Sequence, residues 1–212
     1  MAESVTAHDG RRLAYLEAGL LGDAAAAYLD PARLRHVSSI AGGSYGAFGD
    51  NSAARHLSKI DALGGFLALH FEPGFRLMYA TLGLTAEHFH TSFANQLRKS
   101  VNDYDRAILA RPGFEEAFAH AVTECFAQGS DGLVRDAELL YHRWAFDVAA
   151  INRPVHMWQG TGDTLVPYAI NKEVADAMPG AVWHEVADAG HFVAIGSGRD
   201  VFAVAAAELG AR

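Results

Sequence analysis

Apolar and polar positions change their spacing twice along this chain. Residues 4–17 alternate moderately through "SVTAH" and "RRLAYLEAG", with Asp9-Gly10 between them. That pattern predicts a β-hairpin, since Asp-Gly supplies the left-handed turn that two right-twisted strands require. "GDAAAAYLD" at 22–30 predicts a helix with Asp23 placed to cap it. "LRHVSSIAG" at 34–42 predicts a short strand ending in glycines.

From about 52 to 150 the spacing is helical. "NSAARHLSKIDAL" opens on a capping Asn or Ser, and "FEEAFAHAVTECFAQG" runs to Gly129, a suitable helix stop. Six aromatics between 66 and 93 fit helix packing, with a substrate pocket as the alternative. After 150 the period changes again. "RPVHMWQG" is a buried strand, "TLVPYAINKEVADAMPG" a turn and a helix stopped at Pro179-Gly180, "AVWHEVADAG" another strand, and "HFVAIGSGRDVFAVAAAEL" a loop and terminal helix. Strands alternating with helices predict parallel pairing with helical crossovers, hence an α/β layered fold.

Composition narrows the class. The 212 residues suffice for one domain with a sizeable core and an insertion. The formal net charge is −8, from 17 basic and 25 acidic residues, which argues against a nucleic-acid or anionic-membrane partner. A single cysteine, Cys125, excludes an internal disulfide, and it reads as a small hydrophobe on an apolar helix face. The opening residues lack the apolar core of a signal peptide, and no run reaches the ~18 apolar residues of a membrane span. The expected location is cytoplasmic.

Two residues carry the candidate chemistry. Asp163 lies in "GTGDTLVP" just past one predicted strand, and His191 in "DAGHFVA" just past the next. In a parallel sheet both loops leave the carboxyl edge, where α/β proteins place their sites. A carboxylate there can accept the Nδ1 proton of the imidazole, fix its tautomer and steady it as a base. Taken singly, Asp163 also suits a turn and His191 a satisfied loop histidine. A third candidate is Ser44, in the literal G-x-S-x-G of "GGSYG". The pattern belongs to a strained strand-to-helix turn that exposes a nucleophile, and it also arises by chance in a glycine-rich chain.

"RPVHMWQGTGDTLVP" followed by "ADAGHF" resembles the acid-and-histidine half of the α/β-hydrolase fold. "VTAHDGRRLAYLEAG" resembles that family's opening hairpin. "YLDPARLRHVSSIAG" resembles the passage from the helix after the nucleophile into the sixth strand, and "QGSDGLVRDAELLYHRWAFDVAAI" the end of its helical cap. The resemblance implies an incomplete three-layer α/β-hydrolase-like sheet, residues 1–51 and 150–212, with a helical cap over 52–149. It also exposes a gap. The family's third to fifth strands bear the oxyanion loop and the nucleophile elbow, and the four residues from Gly19 to Asp23 cannot hold segments that need ~30 residues each. No HG loop occurs in the N-terminal part, and Ser44 follows a strand one place beyond the elbow.

The resemblance implies hydrolysis of an ester or acyl bond in a small-molecule substrate, with His191 as base, Asp163 as its orienter and Ser44 as candidate nucleophile. The competing expectation is a catalytically inactive pseudohydrolase or truncated remnant that at most binds. No metal or other cofactor is expected. His88 and His90, two apart, would lie on different faces of a helix, and His156 and His184 read as packed strand residues. Losing the central strands would leave "LRHVSSIA" with an open edge, covered by the N-terminal hairpin or available for homo-oligomerisation.

Overall fold

The computed structural model describes residues 3–6, 12–15, 36–126 and 129–210. Strands β1 (Glu3–Thr6) and β2 (Arg12–Tyr15) pair antiparallel, with Glu3 opposite Tyr15 and Thr6 opposite Arg12. This is the expected hairpin; its Asp9-Gly10 turn and the helix expected over 22–30 with Asp23 lie outside the described residues. The hairpin is a sheet of its own and pairs with none of the other described strands.

Three parallel strands form the second sheet: β3 (Ser38–Ile40), β4 (Val155–Gly160) and β5 (Ala181–Val186), in that spatial order. Ser38 lies beside His156, and His156 beside Val182. All six residues of β4 are buried. A central parallel strand covered on both faces must be apolar or internally paired throughout, which explains its lack of alternation. Among the described strands, β3 pairs only with β4, so the sheet is incomplete on that side.

The segment between β3 and β4 is helical, as its periodicity predicts. It contains α1 (Lys59–His70), α2 (Glu72–His88), α3 (His90–Ser100), α4 (Asp103–Leu109), α5 (Phe114–Cys125) and α6 (Asp131–Tyr141). The expected first helix is broken. A 3-10 turn spans Ser52–His56 with an uncapped Asn51, and α1 begins afresh at Ser58, whose hydroxyl accepts from Asp61 N. His88 closes α2 and His90 opens α3. Cys125 is exposed, and α5 has no fully buried residue, so the apolar face read for that cysteine is not a core face. The aromatics divide: Phe75 and Phe93 are buried, whereas Phe66, Phe71 and Phe89 are exposed.

Helix α7 (Tyr168–Ala177) links β4 to β5, and α8 (Val193–Gly196) with α9 (Gly198–Gly210) follows β5. Side chains alternate across a strand. Val37, Val155 and Met157 accordingly join Val174, Ala175 and Met178 in one core on the α7 side, sealed by Trp144, Val148 and Ile151. On the other side Ala41, Ala189 and Val193 form a smaller cluster. Two further clusters tie the helical segment to the sheet loops. Phe75, Val134, Ala137 and Tyr141 take in Tyr45, while Val101, Ile108 and Leu109 take in Phe192 and Leu165. No helix among the described residues is long and apolar enough to cross a membrane.

Candidate active site

The loops after β4 and β5 meet. His191 Nδ1 lies 3.0 Å from Asp163 Oδ2, with the Asp163 side chain fully buried and the His191 side chain 30% exposed. The carboxylate is held from several directions. Leu165 N and Val166 N donate to Oδ1 at 2.9 and 2.8 Å, and Gln159 Nε2 donates to Oδ2 at 3.0 Å. Donors on the same loop fix where Asp163 points, so an imidazole that donates Nδ1–H to it leaves Nε2 as an acceptor for chemistry.

The main chain around His191 is positioned by a residue that sequence reasoning missed. Asp105, on α4 and fully buried, accepts from His191 N at 2.8 Å and from Phe192 N at 2.9 Å. Gly190 is required there, because a Cβ at that position would overlap the Asp105 carboxylate. In sequence, Asp105 looks like an ordinary acidic residue in the first turn of a helix capped by Asn102, whose side chain accepts from Asp105 N. Its charge faces a loop 86 residues away, and no local signal announces that pairing.

Ser44 stands apart from His191. It is 2% exposed, and its hydroxyl donates to Asn171 Oδ1 at 2.5 Å. Asn171 Nδ2 in turn donates to Gln159 Oε1 at 2.6 Å, and Gln159 reaches Asp163. The three candidates are therefore joined in one buried polar chain, with two amides between the serine and the carboxylate. A base takes a proton over hydrogen-bond reach, ~3 Å, and the acceptor at that range from Ser44 is Asn171.

The local backbone also departs from a nucleophile turn. Among described non-glycine residues, the positive φ values belong to Ala41 (48°), Asn51 (46°) and Asp188 (59°), not to Ser44. The chain after Ser44 goes into turns, Ala47 N to Ser44 O and Gly49 N to Gly46 O, rather than into a helix. Gly46 has its own reason to be glycine: a Cβ would overlap the His142 carbonyl, and Trp144 N donates to Gly46 O at 3.1 Å. The neighbouring Tyr45 stacks on Tyr141 with ring centres 5.0 Å apart. Burial first, then the charges of Asp61 and Asp163, push the Tyr45 phenol well above its ordinary range, so it remains a neutral ring.

No protein-family model matches this chain, and no curated protein matches it. Solved structures do. It is similar to the enol-lactonase from Burkholderia xenovorans LB400, with 15% identity and a TM-score of 0.54 over 89% of this chain and 61% of that one. It is similar to a hydrolase from Pseudomonas aeruginosa PA01, with 16% identity and a TM-score of 0.56 over 89% of this chain and 60% of that one. An α/β hydrolase enzyme from a Medee basin deep-sea metagenome library matches with 16% identity and a TM-score of 0.48 over 90% of this chain and 62% of that one. The chain thus spans about three fifths of the length of the structures it matches.

Proposed function

The chain carries an incomplete α/β-hydrolase fold, and from that premise we propose that it retains the acid–base half of an ester or acyl hydrolase and is impaired by the seclusion of its serine. The observation that carries this reading is the 3.0 Å approach of His191 Nδ1 to a fully buried, multiply donated Asp163. His191 would act as general base through Nε2, and Asp163 would hold the ring in the required tautomer and balance the imidazolium. The helical segment 52–149 would act as a cap that shapes access for a small-molecule substrate.

With Ser44 donating to Asn171, the nucleophile within reach of His191 would be water. His191 would take a proton from that water as its oxygen attacks the carbonyl carbon, then return the proton to the departing alkoxide. Such a reaction lacks the family's oxyanion loop, and losing one oxyanion donor alone costs ~10²–10³ in rate. Only activated esters should turn over measurably. A second reading, a binding protein without catalysis, is favoured by the burial of Ser44. Among the described strands β3 pairs on one side alone, and an edge left open there would favour self-association in either case.

The test is p-nitrophenyl acetate hydrolysis by the full chain beside His191→Ala and Ser44→Ala. Slow turnover that His191→Ala removes and Ser44→Ala spares is the expected result. Turnover abolished by both substitutions would restore Ser44 as nucleophile. Background rates indifferent to both would leave the binding protein.

A further inference from the structure

A second polar cluster lies on the opposite face of the sheet from Asn171 and toward the start of the strands, unconnected to the reading above. His36 precedes β3, His156 is the second residue of β4, His184 is on β5, and Glu208 comes down from α9. His36 Nδ1 lies 2.5 Å from Glu208 Oε2, and His156 Nε2 lies 2.8 Å from Glu208 Oε1. One ligand atom from each of these three residues falls within 4.8 Å of the others, the one such group of His, Cys, Asp or Glu among the described residues. Their side chains are 12%, 7% and 35% exposed, so the cluster is closed by protein on the sheet side and open at the carboxylate.

The outer nitrogens are what make this more than a crowded face. His36 Nε2 lies 2.7 Å from Ser38 Oγ, and His156 Nδ1 lies 2.8 Å from His184 Nε2. Each ring therefore has a partner able to accept a hydrogen bond from an N–H at its far nitrogen. In the ion-free chain the near nitrogens donate to Glu208; a metal ion would displace those protons, and with the remaining hydrogen on the far nitrogen each ring would offer it a lone pair. Metal-binding histidines are held in this way, the second nitrogen donating to a neighbour that fixes tautomer and ring plane. Stacking reinforces the ring planes: His36 on His156 and His156 on His184 at 5.0 Å between centres, and His184 on Trp158 at 3.9 Å.

The geometry points to a divalent transition-metal site, zinc foremost, ligated by His36 Nδ1, His156 Nε2 and the Glu208 carboxylate, with Ser38 and His184 orienting the two rings. Two imidazoles and a carboxylate are a donor set suited to zinc, and the set leaves a fourth position for water. Ligand atoms around tetrahedral zinc at ~2.0–2.2 Å stand roughly 3.3–3.6 Å apart, so the ion would open the two imidazole–carboxylate contacts of 2.5 and 2.8 Å by somewhat under an ångström, within a group whose ligand atoms already lie inside 4.8 Å of one another. The site would act as a clamp. It joins the segment before β3, the central strand and α9, with His36 and Glu208 172 positions apart in sequence. It stands about 13 Å along β4 from the loop that bears Asp163, taking four residues at ~3.3 Å. Its role would be to fasten α9 across a sheet that lacks its central strands.

The experiment titrates the chelator-treated full chain with zinc chloride by calorimetry, beside His36→Gln and Glu208→Gln, both checked for native circular dichroism. Expected are one zinc per chain, a Kd raised at least ~10-fold in each variant, and a melting temperature raised by about 5–10 °C at a hundredfold excess over Kd. Substitution by Co²⁺ should give the visible absorption of a tetrahedral nitrogen–oxygen site in the parent chain and lose it in the variants. No stoichiometric binding to the parent chain overturns the proposal, whatever the variants do. An unchanged Kd in a folded variant also overturns it, because the ion then rests on other residues.

Discussion

Three loops leave the carboxyl edge of one parallel sheet, and they treat their polar side chains differently. After β4 and β5, Asp163 and His191 face each other, the carboxylate anchored by backbone donors and the ring partly open to solvent. After β3, Ser44 turns inward and spends its hydroxyl on Asn171. Both arrangements satisfy every buried hydrogen-bonding group involved, so both are stable solutions. The contrast teaches that reactivity depends on which partner does the satisfying. An imidazole with a free nitrogen can take a proton, whereas a hydroxyl donated to an amide oxygen is occupied.

Substitutions at the loops should differ in cost by that logic. Asp163→Ala should have the largest effect. It strips the acceptor from Leu165 N, Val166 N, Gln159 and His191 together, and should lower the unfolding free energy by about 3–5 kcal/mol. Urea unfolding followed by tryptophan fluorescence would read this, and a cost no greater than that of Ser44→Ala would break the comparison. Asp105→Ala should come next. It orphans two buried N–H groups of the histidine loop, at about 2–4 kcal/mol. Asp105→Asn, which keeps one acceptor oxygen, should recover part of that in the same assay.

Ser44→Ala, which takes the donor from the buried Asn171 Oδ1, should cost about 1–3 kcal/mol. A loss above ~3 kcal/mol would mean that the polar chain through Asn171 and Gln159 acts as a cooperative unit. The smallest effect belongs to Glu173 on α7, which fastens the 3-10 turn after the serine loop. The Arg55 hydrogen bond, then that from His56, holds its carboxyl below the usual range. A depressed carboxyl pKa contributes stability above the unfolded value, ~4.3 for glutamate, and that contribution fades as pH falls through the folded value. The melting-temperature gap between the parent chain and Glu173→Gln should therefore be small at pH 7 and vanish on acidification below the ordinary glutamate range. A gap that widened in acid would contradict this sign.

Legibility follows how local the cause is. β4 and β5 could be read because a buried run and a glycine-flanked loop are written in adjacent residues, and the meeting of Asp163 and His191 follows from parallel pairing. The helical segment was readable as helical, but its first break was not. Both Asn51 and Ser58 are capping types, and only Ser58 caps a helix. Ser44 shows the opposite failure. The glycine that completes its motif, Gly46, is dictated by the approach of the His142 carbonyl, which a short pattern cannot distinguish from a catalytic turn. Asp105 and the group around Glu208 were illegible for one reason: their partners lie 86 and 172 residues away in sequence, and nothing in the neighbouring residues marks them.

The two hydrogen bonds donated to Asp105 make the amides of His191 and Phe192 reporters on a distant helix. An amide proton exchanges with solvent only when its bond opens, and here both bonds end on the same α4 carboxylate. These two protons should therefore exchange at a common rate, set by the free energy needed to lift α4 from the loop. Loosening the Ile108–Leu109 packing under α4 should accelerate both together. The histidine loop and the first turn of α4 then form one unit of opening, so a substrate that pried α4 away would also release the main chain that holds the base.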